Sequence, residues 1–214
     1  MKKVNILLVV FNGLLLNSCS SKNEQNEFIS GNDTSKYVII ANERIVPKEV
    51  FQFVTLNKSD GDTLDIVSCS EYVYSPFGKI NNEAELKSSV LKNFSVVRHQ
   101  QNETLNFYEL KYGQSKLILH FDNDTEAAQT SYIINGGLYD GSIVSSNGIR
   151  VGMSSVDFYK TFFYSFSEKL QKKYKVVIIE SCVIGLKHIY TFEGNRVTSV
   201  KFECVDCDWN IGNW

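Results

Sequence analysis

The chain is 214 residues long, 43% hydrophobic and 13% aromatic, with a formal net charge of −2. That apolar content excludes a disordered chain, and the length suits one domain or two small, closely packed ones. Its 22 basic residues are scattered among 24 acidic ones, which leaves no electrostatic footprint for nucleic acid.

Lys2 and Lys3 make a short basic start, and residues 4–16 are apolar apart from Asn5, Asn12 and Gly13. This layout predicts a secretory signal peptide over residues 1–18, with an apolar run too short to span a bilayer as a stable helix. Leu16-Asn17-Ser18-Cys19 resembles the lipobox of bacterial lipoproteins: an aliphatic residue at −3, a small one at −1, then the cysteine that becomes the new N-terminus. The resemblance implies lipidation of Cys19, through its thiol and then its freed amine. Several palmitate-type chains, at about 0.8 kcal/mol per buried CH₂, anchor firmly where one would be marginal. It further implies a protein of the cell envelope, held at the outer membrane by lipid, with its body in the periplasm or at the cell surface. Residues 19–35 (CSSKNEQNEFISGNDTS) are too polar to bury a core and read as a flexible tether.

The predicted globular part covers 36–214. Apolar runs at 37–41, 50–56 and 63–69 predict strands, with Ser59-Asp60-Gly61-Asp62 as a hairpin turn between the last two. Ser75-Pro76-Phe77-Gly78 marks a loop. Asn81 or Asn82 can cap a helix running to about Lys92, with Glu83 and Glu85 in its first turn. Strands are expected at 94–99, 104–110, 116–121 and 131–135, and the β pattern continues near 141–145. Ser154 or Ser155 can cap a second helix to about Lys173. Strands at 175–182, 187–192 and 196–204 follow, with turns at Gly185 and at Glu193-Gly194-Asn195. The fold class is therefore α+β: an antiparallel sheet with two helices on one face.

The plan repeats, which suggests sub-units 36–146 and 147–214 as a tandem αβββ pair. Aligning Gly113 with Gly194 matches Leu119 to Val200 and Phe121 to Phe202, alternate positions on one strand face. Gly148-Ile149-Arg150-Val151-Gly152-Met153-Ser154, with Asp157-Phe158 after it, resembles the helix start of small outer-membrane lipoproteins. These are the SmpA/OmlA-like component of the outer-membrane assembly machine and β-lactamase-inhibitor-like domains. The resemblance implies helices on an antiparallel sheet and binding of proteins without catalysis; the motif itself defines the fold and carries no assigned binding role.

With Cys19 assigned to lipid, Cys69, Cys182, Cys204 and Cys207 remain as disulfide candidates in an oxidising compartment, and three pairings are open. Cys204-Val205-Asp206-Cys207 has redox spacing but follows a strand, where no helix N-terminus would lower a thiol pKa. Asp122-Asn123-Asp124-Thr125-Glu126 begins like a calcium loop, yet Ala127 and Ile133 stand where an EF-hand needs Gly and Glu. His99, His120 and His188 lie far apart in strand-like runs; catalysis would need a cluster such as His120 with Asp122 or Glu126. Asp206, Asp208 and Trp209 suit either a binding surface or a tail stapled to the core. No nucleophile elbow, zinc helix or phosphate loop occurs in the sequence. The expectation is a non-enzymatic module with no catalytic residue, cofactor or metal. It would bind an envelope protein, or alternatively a small molecule or glycan.

Overall fold

The structure, a computed structural model, describes residues 37–51, 54–100, 106–121, 131–205 and 207. Strands β1 (Val38–Ile40) and β2 (Glu43–Ile45) pair antiparallel as a small separate sheet. Ala41 and Asn42 both carry positive φ (48° and 67°), the backbone of a two-residue hairpin turn that matches strand twist. β3 (Thr55–Asp60) and β4 (Thr63–Ser68) form the next hairpin, and two short helices follow, α1 (Glu71–Tyr74) and α2 (Glu83–Leu86). β5 (Ser95–Gln100), β6 (Asn106–Tyr112), β7 (Ser115–Phe121) and β8 (Ser131–Leu138) then run as an antiparallel meander. Helices α3 (Ser155–Phe162) and α4 (Glu168–Lys173) precede β9 (Val176–Ser181), β10 (Leu186–Glu193) and β11 (Arg196–Cys204).

One nine-stranded sheet gathers the long strands in the order β3-β4-β9-β10-β11-β8-β7-β6-β5. Sheet therefore dominates the α+β fold. It is mixed where an antiparallel sheet was expected: β4 and β9 run parallel, and every other neighbouring pair is antiparallel. The reason is topological. A hairpin or meander gives antiparallel neighbours, whereas β4 meets β9 only after the long stretch between them has returned to the same end of the sheet.

Alternation decides which face is buried. Leu64 and Ile66, Val177 and Ile179, Tyr190 and Phe192, and Val200 and Phe202 all enter one core. The Phe158 ring of α3 lies 4.8 Å from that of Tyr190 and 5.0 Å from that of Phe192, which docks the helix on these strands. The opposite face carries half-buried Ile178 and Ile189 beside exposed Lys201. Gly136 is required opposite Leu117 of β7, because a Cβ there would lie 2.3 Å from the Lys116 carbonyl oxygen and φ is +137°.

Four expected elements differ. Residues 50–56 do not form one strand; Phe51 turns into the core against Phe162 (ring centroids 4.6 Å apart) and β3 begins only at Thr55. The helix expected to reach Lys92 stops at Leu86. The backbone tightens there into turns, Ser88 and Ser89 N–H donating to the Glu85 and Leu86 carbonyls (3.0 and 3.2 Å). The two serine hydroxyls donate to the same carbonyls, and Ser89 Oγ accepts from the Leu91 amide, so the helical ladder does not continue. The helix expected to run to Lys173 breaks after Phe162. There Tyr164 N–H donates to Val46 and Lys48 N–H to the Phe162 carbonyl, and Ser167 caps a fresh helix by accepting from Leu170 N–H at 3.2 Å. Residues 141–145 form no strand. Asn82 and Ser154 do cap their helices, accepting from Glu85 and Asp157 amides.

Tyr159 is 1% exposed, and its hydroxyl has no hydrogen-bond partner among the described residues. Its ring stacks on Phe166 at 4.0 Å. Tyr159→Phe should therefore leave stability unchanged or raise it, since the ring contacts stay and an unsatisfied hydroxyl goes. Phe158→Ala should cost about 3–5 kcal/mol as a core cavity. Denaturant unfolding of both variants checks this, and a loss of more than a kilocalorie per mole in Tyr159→Phe would contradict it.

Candidate functional site

The parallel pair sets up the most developed site. β4 and β9 stay in register to their ends, Ser68 opposite Ser181, so the next residues, Cys69 and Cys182, emerge side by side. They are joined as a disulfide with Cα atoms 5.1 Å apart. Serines finish both strands: Ser70 N–H donates to Ser68 Oγ at 3.2 Å, and Ile184 N–H donates to Ser181 Oγ at 3.2 Å. The chain leaves Cys69 into α1 and leaves Cys182 into a turn carrying Val183 and Ile184.

Between these two walls lies a cleft of about 740 Å³. Tyr72, Tyr74, Lys79, Tyr132 and Val50 complete its lining with Val183. The rim is apolar and open, with Val183 79% and Val50 58% exposed. One polar pair stands on the α1 side, Glu71 with Lys79 at 3.3 Å, both well solvated. The Tyr74 hydroxyl donates toward Cys182 Sγ at 3.6 Å, since a disulfide sulfur can only accept.

Below Tyr72 the cleft meets a buried polar network. The Tyr72 and Tyr190 hydroxyls bond to each other, His188 Nδ1 lies 3.3 Å from the Tyr190 hydroxyl, and the Tyr72 ring sits edge-on to His188 at 5.3 Å. Burial pushes Tyr72 up to about 12 and raises Tyr190 well above the usual tyrosine value. Burial also pushes His188 down to about 3, against the pull of its hydrogen bond to the Val73 backbone. All three are neutral at physiological pH. The network forms the floor of the cleft.

Two charged groupings lie on the other sheet face. Asn57 Nδ2 donates to Asp65 at 2.9 Å, while Glu180 pairs with Lys187 at 3.2 Å. Burial raises the Asp65 pKa, and its Oδ1 has no partner among the described residues. Glu109 bonds Lys111 and, at 2.9 Å, Lys116; these hydrogen bonds hold its carboxyl down to about 2. Neither grouping opens into the cleft lining, and among the described residues no three His, Cys, Asp or Glu side chains assemble for a metal ion.

The sequence candidates fall as follows. Cys69 and Cys182 come together at the cleft. Cys204 and Cys207 form a second disulfide, and both pack with Tyr132 against Phe107, Ile118 and Ile134. His188 is core. His99 and His120 share one cross-strand row but are separated by Phe107. His120 Nδ1 lies 3.0 Å from the Asn106 carbonyl oxygen. Cys19, the loop of Asp122 to Glu126, Asp206, Asp208 and Trp209 lie outside the described residues. Sequence reasoning missed Tyr72, Tyr74, Lys79 and Val183; the one usable signal was that Tyr72 and Val183 closely follow the paired cysteines.

Comparison with family models, curated proteins and solved structures yields no match.

His188 carries a pH prediction. Its folded pKa lies below the unfolded value of 6.5, so acid protonates the unfolded chain first and stability falls as pH drops from 6.5 toward 3. His188→Phe keeps ring contacts and removes the titration. Between pH 6.5 and 5, above the carboxylate range, the variant's stability should be flatter than the wild type's in denaturant titrations at each pH. Equal slopes would contradict a buried neutral His188.

Proposed function

We propose that the chain is a membrane-tethered extracytoplasmic lipoprotein, lipidated at Cys19, whose body is a non-catalytic protein-binding module. Its cleft receives an apolar segment of an envelope protein. The observation that carries this reading is the open apolar rim: Val183 and Val50 stand exposed at the mouth of a cleft whose walls a disulfide joins. A rigid concavity with exposed aliphatic residues loses little entropy on binding and gains from excluding water. The Glu71–Lys79 pair at the α1 wall can orient backbone or side-chain polar groups of the bound segment. The lipobox-like Leu16-Asn17-Ser18-Cys19 supports the address, and the resemblance of residues 148–158 to outer-membrane assembly lipoproteins supports the class of partner.

A second reading, a small molecule or glycan as occupant, is favoured by the cleft's size and by Tyr72, Tyr74 and Tyr132 in its lining. Two finer features of the fold belong to the proposal as well: helices on one sheet face, and a tandem αβββ duplication. Leu119 and Phe121 enter the same core as Val200 and Phe202, as a repeat of the β6–β7 hairpin in β10–β11 would require.

The test is co-purification from gently solubilised envelope. Wild type is compared with Cys19→Ala, with the cleft variant Val50→Asp/Val183→Asp, and with Val97→Asp on the edge strand β5 as a surface control. A partner retained by wild type and control, lost with the cleft variant and reduced without the anchor is expected. Retention by the cleft variant, or no partner for wild type, would overturn the protein-binding reading, and binding of small molecules or glycans by the same variants would then be measured.

A further inference from the structure

The disulfide is part of the cleft it borders. Cys69 and Cys182 both line it, Cys69 is half-buried and Cys182 is exposed. Each cysteine begins one wall: Glu71, Tyr72 and Tyr74 follow Cys69, and Val183 and Ile184 follow Cys182. Beyond Ser68 and Ser181 the β4–β9 ladder has ended, so the covalent bond joins the walls at their roots. The Tyr74 hydroxyl leans across to Cys182 Sγ and adds a contact that exists only while that sulfur is held in place.

We propose that Cys69–Cys182 is a redox latch on the cleft: oxidised, it fixes the spacing of the walls for binding; reduced, it releases them. The reductant is a dithiol. One of its thiolates attacks the exposed Cys182 sulfur, forming a mixed disulfide and expelling Cys69 as a thiolate that takes a proton. The second thiol of the reductant then displaces Cys182 as a thiol. Two electrons pass to the protein, and the reductant leaves as its own disulfide. Reduction can shift affinity only through contacts that differ between the two states, and here those are the positions of α1 and of residues 183–185.

This inference rests on the cleft being a binding site, and the experiment separates the two. The mature chain carrying Cys19→Ala and Cys204→Ser/Cys207→Ser leaves one disulfide and needs no detergent. Anilinonaphthalene sulfonate is the apolar probe, titrated before and after dithiothreitol, with Val183→Asp marking the cleft-specific part. Hydrogen exchange is followed in parallel at residues 70–74 and 183–185 and in β10 and β11. Reduction should weaken cleft-specific binding on the order of tenfold. It should also speed exchange in both walls by more than the general fall in protection read from β10 and β11. Unchanged affinity and unchanged wall exchange, with both thiols shown free by alkylation and mass spectrometry, would overturn the latch and leave the binding site standing. Absence of any Val183-dependent probe binding would instead count against the cleft as a binding site, and wall exchange alone would then decide the latch.

Discussion

The constraint on which the rest of the structure depends is the parallel meeting of β4 and β9. It is the single parallel contact in the nine-stranded sheet, and it joins residues from widely separated parts of the chain. A parallel pair cannot be closed by a tight turn, so its loop-closure entropy is met late and only by many contacts at once. Three local features cooperate there. Lys175 and Val176 amides both donate to the Asp62 carbonyl at the start of the pair, the ladder runs in register to Ser68 and Ser181, and the disulfide closes the far end. The same register that stabilises the junction puts two chain segments side by side as they leave the sheet. A cleft between them follows from the topology.

The aromatic core explains why those segments hold their shape. Phe158 and Phe162 of α3, Phe51 and Tyr72 form one chain of ring contacts. Tyr72 is at once a core residue and the floor of the cleft. Its hydroxyl finds Tyr190, and His188 joins them, so polar atoms carried into the core are satisfied instead of stranded. Neutral groups paired in this way hold the shape of the cleft floor.

Much of the sheet was legible in the sequence. β10 alternates buried and less buried residues in the period that the sequence pattern announces, β11 does so on either side of one register shift, and Gly113 and Gly194 sit at the first central position of their hairpins with positive φ. What escaped was set by distant residues or by side-chain competition. The sequence left three cysteine pairings open because the β4–β9 register that chooses among them is not local. Ser88 and Ser89 ended a helix that periodicity alone would extend. Glu71-Tyr72-Val73-Tyr74 has strand-like side chains, yet forms a helical turn because the chain must bend away beyond Cys69. The site was least visible of all, since Tyr72, Lys79, Tyr132 and Val183 come from separate segments and share no motif.

The most direct measurement of the central claim compares the two disulfides by equilibrium unfolding. Cys69–Cys182 spans 113 residues and Cys204–Cys207 only three. If the first pins the long-range junction, Cys69→Ala/Cys182→Ala should lose about 5 kcal/mol and Cys204→Ala/Cys207→Ala only about 2 kcal/mol, as loop-closure entropy scales. Equal losses, or a larger one at Cys204 and Cys207, would contradict a fold organised around the β4–β9 junction.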